Sequence, residues 1–347
     1  MLAGFAHNAL AVLRRHRAPA WTRRALQPVP KENPKRVLVT GATGFIGRHL
    51  VYRLVERGDE VIVLARDRGK ATDLFGPHAR VVTEIDAIED TEWIDAIVNL
   101  AGAPLAARPW TERRKKTLLE SRLAVTEALV ALAARLERKP VTWINASAVG
   151  YYGVRNDDVP LHEKAAPQPI FQSELCRRWE SCAVRAAEHG AKVALLRMGV
   201  VLGRDGGALA ALARPARLGL GVIFGTGAQW VSWIHLHDLL ELMLFVLDQE
   251  TLAGPVNATA PTPLRQAELA EAIAAALRVP HVRIRIPGRV LRAALGELAQ
   301  FFADGQRVVP ERATALGFRF RHATAGDALE SLLARPQPGA VVAPNAS

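Results

Sequence analysis

The sequence predicts an α/β protein, with a doubly wound parallel sheet followed by a smaller lobe of mixed and helical structure. Short apolar runs rich in β-branched residues alternate with amphipathic helical patterns, as in a parallel sheet covered by helices. The first apolar run leads directly into a glycine-rich turn, and the alternation weakens beyond residue 200. The predicted sheet strands lie at residues 35–40, 60–65, 80–82, 96–100, 141–146 and 193–197.

Helical patterns separate the predicted strands. The first runs from Phe45 to Arg57 and stops at Gly58, a residue type that commonly follows the end of a helix. Two more patterns occupy about residues 112–136 and 173–188. Further along, glycine and proline become frequent, and helical patterns dominate again from Gln266. We interpret this last part as a lobe that covers the open edge of the sheet.

Composition narrows the class of protein. The formal net charge of +11 includes five arginines and no acid in residues 1–30, which leaves +6 for the remainder. Aromatic residues make up only 6% of the chain, and no basic face with base-stacking aromatics is visible, so we expect no nucleic-acid partner. No run approaches 18 consecutive apolar residues, so we expect no membrane span. A positive field around an anionic cofactor explains the excess charge more simply.

The two cysteines and the amino-terminal segment indicate the cellular compartment in which the protein is expected. Cys176 and Cys182 lie six residues apart in a predicted helix, on different faces, which does not suit a disulfide. A reducing, cytoplasmic location fits this cysteine usage. Residues 1–34 have the composition of a disordered leader, and its arginines leave organelle targeting open. Residues 334–347, rich in proline and alanine, predict a disordered tail.

The glycine-rich turn has the pattern Gly41-Ala-Thr-Gly44-Phe-Ile-Gly47. In a dinucleotide-binding turn the first glycine permits the tight bend, the second lets the backbone approach the pyrophosphate, and the third lets the helix pack on the sheet. The N–H groups at the start of the helix then face the phosphates. The turn follows a buried strand and opens an amphipathic helix, which is the context that this interpretation requires. The cofactor-binding residues predicted here are Gly41, Thr43, Gly44, Phe45, Ile46 and Gly47.

The end of the second strand indicates which dinucleotide is bound. An NAD site usually offers a carboxylate there, whereas a cation suits the additional phosphate of NADP. Arg66 occupies the deciding position, Asp67 is one residue too late, and Lys70 lies just beyond. The guanidinium of Arg66 suits a phosphate, so the pattern favours NADP over NAD.

The fourth strand ends in Asn-Leu-Ala-Gly, at residues 99–102. A cofactor lying across the strand ends requires small residues or open backbone at this exit, which adds Leu100, Ala101 and Gly102 to the predicted site. The predicted organisation is therefore a dinucleotide-binding domain at 35–200, with parts of 230–260 packing on it, and a substrate lobe at 201–333.

Together these motifs resemble the short-chain dehydrogenase/reductase superfamily, in its extended, epimerase/dehydratase-like branch. The resemblance extends to SAVGYYG at 147–153, LRMGVVLG at 196–203 and WIHLHD at 233–238. A subgroup of uncertain function adds LCRRWE at 175–180 and the block at 296–320. The resemblance covers about residues 36–333. It implies a Rossmann fold, a small carboxy-terminal domain and an NADP-type cofactor, and some relatives are linked to cell or organelle division. Short-chain reductases are often homodimers, but the sequence leaves the oligomeric state open.

One position departs from the subgroup pattern. Where Lys-Arg-Trp is expected, this chain has Arg108-Pro109-Trp110. Proline replaces the second cation, so Arg108 alone is left for an anion contact, and we include it among the cofactor-binding residues.

The catalytic pair of the superfamily is missing. Its chemistry uses a tyrosine as proton donor or acceptor and a lysine four residues later, whose charge lowers the pKa of the phenol. With Glu180 as the helix anchor, these positions fall on Gln172 and Cys176, and residues 171–180 contain neither tyrosine nor lysine. Glutamine does not titrate, and a neutral thiol supplies no positive charge.

Other side chains are candidates for the missing role. Ser147 follows the fifth strand at the superfamily's serine position, and Tyr151 and Tyr152 are the nearest phenols. Arg122 stands where the superfamily usually has asparagine, either facing the active site or on a solvated helix face. His235, His237 and Asp238 fit a structural segment better than a metal site, and we predict no metal. Cys176 is better explained as core than as a redox thiol.

Two functions of different class remain open from the sequence. The first is an NADP-dependent oxidoreductase or epimerase-like enzyme that acts on an unidentified small molecule through Ser147 and a non-standard proton source. The second is a regulatory protein that binds NADP(H) without turnover, and the missing tyrosine and lysine favour it.

Overall fold

The computed structural model describes residues 31–155, 157–249 and 251–334. Most of the predicted leader and tail therefore lies outside the described residues. Within the described part, no helix is long and apolar enough to cross a membrane.

A seven-stranded parallel sheet forms the centre of the fold, in the order β11-β6-β5-β4-β1-β2-β3. The chain order reverses on either side of β1, and in open parallel sheets ligands bind at the carboxyl ends of the strands where this occurs. The strands of this sheet are β1 (Arg36–Thr40), β2 (Glu60–Leu64), β3 (Arg80–Val82), β4 (Ala96–Asn99), β5 (Thr142–Ala148), β6 (Lys192–Met198) and β11 (Gly254–Ala258). The remaining strands are β7 (Val200–Gly203), β8 (Leu220–Phe224), β9 (Trp230–Val231), β10 (Trp233–His235), β12 (Leu264–Arg265) and β13 (Val282–Ile286).

Helices cover both faces of the sheet. The helices of the described residues are α1 (Phe45–Glu56), α2 (Arg68–Phe75), α3 (Glu112–Arg135), α4 (Phe171–Val184), α5 (Gly207–Ala216), α6 (Leu236–Asp248), α7 (Gln266–Leu277), α8 (Gly288–Leu295), α9 (Gln300–Ala303), α10 (Glu311–Ala315) and α11 (Ala325–Leu333). Val37 and Val39 of β1 pack in one core with α1 and α6, whereas Leu38 packs in a second core with α3 and α4. Successive residues of β1 therefore serve opposite layers, which explains its unbroken apolar run.

The predicted doubly wound fold is confirmed, and the predicted strands agree with the structure to within about two residues. The prediction did not include α2, which buries only Ala71 and Phe75 and so offers too short an apolar pattern. It also did not identify β11, whose sequence Gly-Pro-Val-Asn-Ala has weak strand propensity, and which is held by parallel pairing with β6. The helix predicted at 173–188 begins at Phe171 and continues beyond Val184 as a 3₁₀ turn.

The carboxy-terminal part combines short strand pairs with helices. β7 pairs with β10 and β8 with β13 in parallel, and β9 pairs with β12 antiparallel. A separate core of this part centres on the fully buried Trp233 and includes Leu209 of α5, Ile273 of α7 and Leu329 of α11.

Candidate functional site

The turn after β1 brings three backbone segments close together. Gly41 has a φ of +66°, and a Cβ at this position would lie 2.4 Å from the carbonyl oxygen of Leu100. A Cβ on Gly47 would lie 2.3 Å from the carbonyl oxygen of Gly41. Any side chain at either position would push the turn, α1 and the exit of β4 apart, so the glycines are needed for the packing as predicted.

The start of α1 is arranged to receive an anion. Gly44 is its N-cap and provides no side-chain cap, and the first turn contains no acidic residue. Because the intrahelical bonds begin with Arg48 N donating to Gly44 O at 3.2 Å, the N–H groups of Phe45, Ile46 and Gly47 precede the ladder. Such N–H groups, with the positive end of the helix dipole, suit phosphate oxygens. The side chain of Thr43 lies half-exposed in the same turn.

The side chain of Phe45 has a second role that the sequence did not indicate. Its ring lies against the glycines of the 203–207 loop, where added Cβ atoms would come within 2.3–2.9 Å of ring carbons. The buried guanidinium of Arg48 donates to Asp205 Oδ2 at 3.0 Å and fastens the same loop. The ring of Phe45 thus holds this loop against α1. The backbone N–H of Phe45 remains one of the unbonded donors at the start of the helix.

At the end of β2, Arg66 is exposed and forms no ion pair among the residues that the structure describes. Asp67 accepts a hydrogen bond from Lys70 N at 2.9 Å and caps α2, so its carboxylate is engaged there. The side chain of Lys70 is exposed on the first turn of α2. The end of β2 therefore presents three exposed cations, Arg66, Arg68 and Lys70, and a carboxylate that is already hydrogen-bonded.

The exit of β4 is held by the buried side chain of Asn99. Its Oδ1 accepts from Thr40 Oγ1 at 2.7 Å, and its Nδ2 donates to Thr126 Oγ1 and Asn145 Oδ1, both at 2.8 Å. Leu100 and Ala101 are half-buried, Gly102 is exposed, and Arg108 is exposed after a 3₁₀ turn. Asn99 thus fixes the end of β4 through three side-chain hydrogen bonds, and the backbone that follows is partly exposed.

Arg122 of α3 is a buried cation at the same exit. It is 7% exposed and donates to the carbonyl oxygens of Leu118 at 2.9 Å and Ala103 at 3.3 Å. A Cβ on Gly102 would lie 2.9 Å from Arg122 Cζ, so only glycine leaves room for the guanidinium. It forms no ion pair with any described residue, and burial lowers the pKa of Arg122 to about 10. A cation buried without a counter-ion is costly and attracts an anion.

Ser147, predicted as catalytic, is engaged in a buried network. It is 2% exposed, and its hydroxyl donates to Glu180 Oε1 at 2.6 Å. Glu180 in turn accepts two hydrogen bonds from the guanidinium of Arg197, at 2.9 and 2.8 Å. This arrangement ties the end of β5 to α4 and β6, and it commits the Ser147 proton to a carboxylate.

The two tyrosines predicted as catalytic differ in their surroundings. Tyr152 is fully buried, and its hydroxyl donates to Asn257 Oδ1 at 2.6 Å and accepts from Arg197 at 3.0 Å. Burial raises the pKa of Tyr152 to about 12, which opposes proton transfer near neutral pH. Tyr151 is half-exposed, with its ring 3.4 Å from Arg197 Cζ. The geometry thus favours a structural role for Tyr152 and leaves the phenol of Tyr151 partly accessible.

Gln172 and Cys176, the positions predicted for the missing catalytic pair, both lie on α4. Gln172 lies on α4 beside Gly150, with its Cβ 3.7 Å from where a Cβ on that glycine would be. Cys176 is buried one turn later, and burial raises the pKa of its thiol to about 11. Both cysteines are free and buried. Because the pKa of Cys176 is raised, its thiol stays protonated at neutral pH.

The histidine segment is structural in its contacts. His235 Nδ1 accepts from His237 N and caps α6, and its ring stacks on His322 at 3.9 Å. Asp238 accepts from the backbone N–H groups of Arg321 and His322, which docks the carboxy-terminal segment on α6. In the described part of the chain, no group of three or more His, Cys, Asp or Glu residues could hold a metal ion.

Comparison with known proteins identifies the family. The model of the NAD dependent epimerase/dehydratase family matches residues 37–258, and that of a domain of unknown function (DUF1731) matches residues 286–332. The chain is 39% identical over 311 residues to the chloroplastic epimerase family protein SDR39U1 homolog of Arabidopsis thaliana, covering 87% of this chain and 88% of the relative. It is 36% identical to an epimerase family protein of Staphylococcus epidermidis, covering 86% and 99%.

A solved structure supports the same assignment. The chain resembles the crystal structure of human epimerase family protein SDR39U1 (isoform 2) with NADPH, with a TM-score of 0.78 and 33% identity over 86% of this chain and 99% of that one. The family resemblance predicted from the motifs is thereby confirmed. This chain belongs to the NAD-dependent epimerase/dehydratase family.

Proposed function

We propose that this protein binds NADPH across the carboxyl ends of β1, β2 and β4. The glycine turn is close-packed and uncapped, and the edge of β2 carries unpaired cations. The relative crystallised with NADPH is 33% identical to this chain, and the match covers 86% of this chain and 99% of the relative. The residues that would hold the dinucleotide are Gly41, Thr43, Gly44, Phe45, Ile46, Gly47, Arg66, Lys70, Leu100, Ala101, Gly102 and Arg108.

Each part of this set has its own task. The N–H groups of residues 45–47 would bind the pyrophosphate, and Arg66 and Lys70 would bind the 2′-phosphate that distinguishes NADPH from NADH. Residues 100–102 offer open backbone beneath the bound molecule. When bound, the cofactor supplies a hydride to an electrophilic carbon.

We further propose that the protein is an oxidoreductase in which Arg122 takes the place of the usual tyrosine and lysine. The observation that carries this proposal is the buried, unpaired guanidinium beneath Gly102. A carbonyl oxygen that gains negative charge during hydride transfer is stabilised by a fixed cation in a site that excludes water. Arg122 would hold that oxygen, or a neighbouring anionic group of the substrate. The balancing proton would come from Tyr151, whose side chain is half-exposed, or from water.

The experiment replaces Arg122 and measures NADPH oxidation with a panel of carbonyl compounds. Arg122→Met should lower kcat/KM at least about 100-fold, since a lost oxyanion donor costs about 3–4 kcal/mol, while NADPH affinity changes less than about threefold. Arg113→Met is the matched control, because it removes the same charge from an exposed position on the same helix. Equal turnover of both variants would exclude Arg122 from the reaction.

A second candidate function is an NADPH-binding regulator without turnover. The engagement of Ser147 with Glu180 and the burial of Cys176 and Tyr152 favour it, because these groups are committed to packing. The family resemblance suggests control of cell or organelle division as the setting for such a regulator. Tight NADPH binding without oxidation by any carbonyl compound of the panel would favour this function over the enzyme.

A further inference from the structure

Three arginines surround the loop that leaves β4. The carbonyl oxygen of Ala103 accepts from Arg122 Nη2 at 3.3 Å, and that of the next residue, Pro104, accepts from Arg114 Nη2. The two arginines lie about two turns apart on α3, and their guanidinium groups converge on these adjacent carbonyl groups. Arg108 is exposed further along the same loop. The loop therefore gathers three positive charges at the exit of β4.

The acidic side chains of this region are already paired with lysines. Glu112 and Glu297 both pair with Lys115, at 2.9 and 2.8 Å, and Glu120 lies 3.6 Å from Lys116. Within the described part of the chain, no salt bridge joins any of the three arginines to an acidic residue. The positive charge around the loop is consequently not balanced by the protein itself.

The arginines also act on one another. Burial lowers the pKa of Arg114, and the charge of Arg108 lowers it further. Burial lowers the pKa of Arg122 to about 10, and the charge of Arg114 contributes in the same direction. Like charges held together in a partly buried site disfavour one another, and an anion bound among them would relieve this cost.

The guanidinium of Arg122 keeps donors for a ligand. One N–H of Nη1 and one of Nη2 donate to the carbonyl oxygens of Leu118 and Ala103, which leaves three of its five N–H groups. Its Nε donates to no described residue and is not among the buried side-chain atoms left without a partner, so this nitrogen keeps accessible surface. Gly102, which lies against the guanidinium, is exposed. An anion can therefore reach Arg122 from the open side of the loop.

The chemistry of hydride transfer narrows the kind of anion. In the function proposed above, Arg122 holds the oxygen of a carbonyl group that receives a hydride. A 2-oxo acid carries its carboxylate on the neighbouring carbon, so the keto oxygen and one carboxylate oxygen can lie on the same side of the molecule. Two N–H groups of one guanidinium suit such a pair of oxygens, and a carboxylate suits a second guanidinium beside it.

We propose that the site binds a 2-oxo carboxylic acid, which is the substrate if the oxidoreductase function proposed above holds. Arg122 binds the keto oxygen together with one carboxylate oxygen, and Arg114 neutralises the carboxylate. The keto carbon gains the hydride of NADPH, and the keto oxygen takes a proton from Tyr151 or from water. The products are a 2-hydroxy acid and NADP⁺.

The first test measures binding without turnover. Oxamate has the shape and charge of pyruvate but is not reduced, and calorimetry follows its titration into the full chain with and without saturating NADPH. Oxamate should bind with a Kd below about 1 mM, equivalent to about −4 kcal/mol. Arg114→Met should weaken it at least about tenfold, since a charge-assisted hydrogen bond is lost, and Arg114→Lys should weaken it less because the charge remains.

Arg113→Met is the matched control for binding, because it removes an exposed charge from the adjacent position of α3. It should leave oxamate affinity within about twofold, as expected for a screened surface charge. Absence of oxamate binding, or equal weakening by Arg113→Met and Arg114→Met, would overturn the proposal. Inorganic phosphate that binds as tightly as oxamate would overturn the carboxylate assignment.

The second test compares turnover of acids and esters. NADPH oxidation is followed with pyruvate, phenylpyruvate and 2-oxoglutarate and with their methyl esters. Although the esters have the more electrophilic keto carbon, at least one acid should exceed its ester in kcat/KM by about 100-fold or more, because the ester lacks the charge that the arginines bind. Esters turned over as well as the acids would overturn the 2-oxo acid site and leave the oxidoreductase function standing. Oxamate binding that depends on Arg114, without oxidation of NADPH by any carbonyl compound, would support the site and overturn the oxidoreductase function.

Discussion

The carboxyl ends of β1 and β2 and those of β5 and β6 form two neighbouring edges of the sheet, which differ in whether their polar groups are paired within the protein. At the ends of β1 and β2, N–H groups at the start of α1 and the cations Arg66 and Lys70 face outward without an ion pair among the described residues. At the ends of β5 and β6, Ser147, Glu180 and Arg197 satisfy one another inside the protein. The first edge keeps its capacity for an external ligand, whereas the second uses the same chemistry for stability.

The comparison explains how a member of this family can keep the cofactor turn and lose the catalytic pair. Cofactor binding depends mainly on backbone and on steric room, which glycines provide. Proton transfer depends on a titrating side chain, and the groups at 172 and 176 are an amide and a protonated buried thiol. Arg122, at the exit of β4, is buried and hydrogen-bonded to carbonyl oxygens but has no counter-ion among the described residues, which is why we propose the chemistry there.

The largest expected effect comes from filling the space at the glycine turn. Gly47→Ala places a methyl group 2.3 Å from the carbonyl oxygen of Gly41, so α1 must move away from the turn. NADPH affinity should fall at least about 100-fold, measured by fluorescence titration. Gly69→Ala is the control, since its Cβ would meet only Asp67 Oδ1 at 3.6 Å. Unchanged affinity in Gly47→Ala would show that the turn does not hold the cofactor.

A smaller effect is expected from the cation at the end of β2. Arg66→Ala should weaken NADPH about 10- to 30-fold, equivalent to roughly 1.4–2 kcal/mol, and leave NADH affinity within about twofold. The reason is that, in the proposed site, the guanidinium would contact only the 2′-phosphate, which NADH lacks. Direct titration with both nucleotides measures this ratio, and equal weakening of both would refute the assignment of Arg66.

The smallest effect tests whether the edge at β5 is structural. Ser147→Ala removes one hydrogen bond to Glu180, while Arg197 still satisfies that carboxylate, so stability should fall by about 1 kcal/mol. NADPH affinity should not change. Urea unfolding and NADPH titration measure the two quantities. A fall in kcat of about 100-fold at unchanged stability would contradict a purely structural role and would show that Ser147 takes part in the reaction.

Much of the fold was predictable because its signals are local. Strands β1 to β6 are apolar runs, and α1 and α3 carry helical periodicity between glycines and caps. The weak cases, α2 and β11, have little local signal and depend on the pairing or packing of distant residues. The sequence identified Gly102 at the exit of β4. For Arg122, which lies beside it, the sequence left two alternatives open, a position facing the active site and a position on a solvated helix face.

The sequence by itself determined the parallel sheet, the cofactor turn, the cation at the end of β2 and the absence of the tyrosine–lysine pair. Each of these depends on residue type within a few positions of the chain. Only the tertiary structure decided that Ser147 is hydrogen-bonded to Glu180, and that Arg122 is buried without a counter-ion among the described residues. These properties arise between residues far apart in sequence, because burial and charge compensation are set by what the folded chain brings into contact.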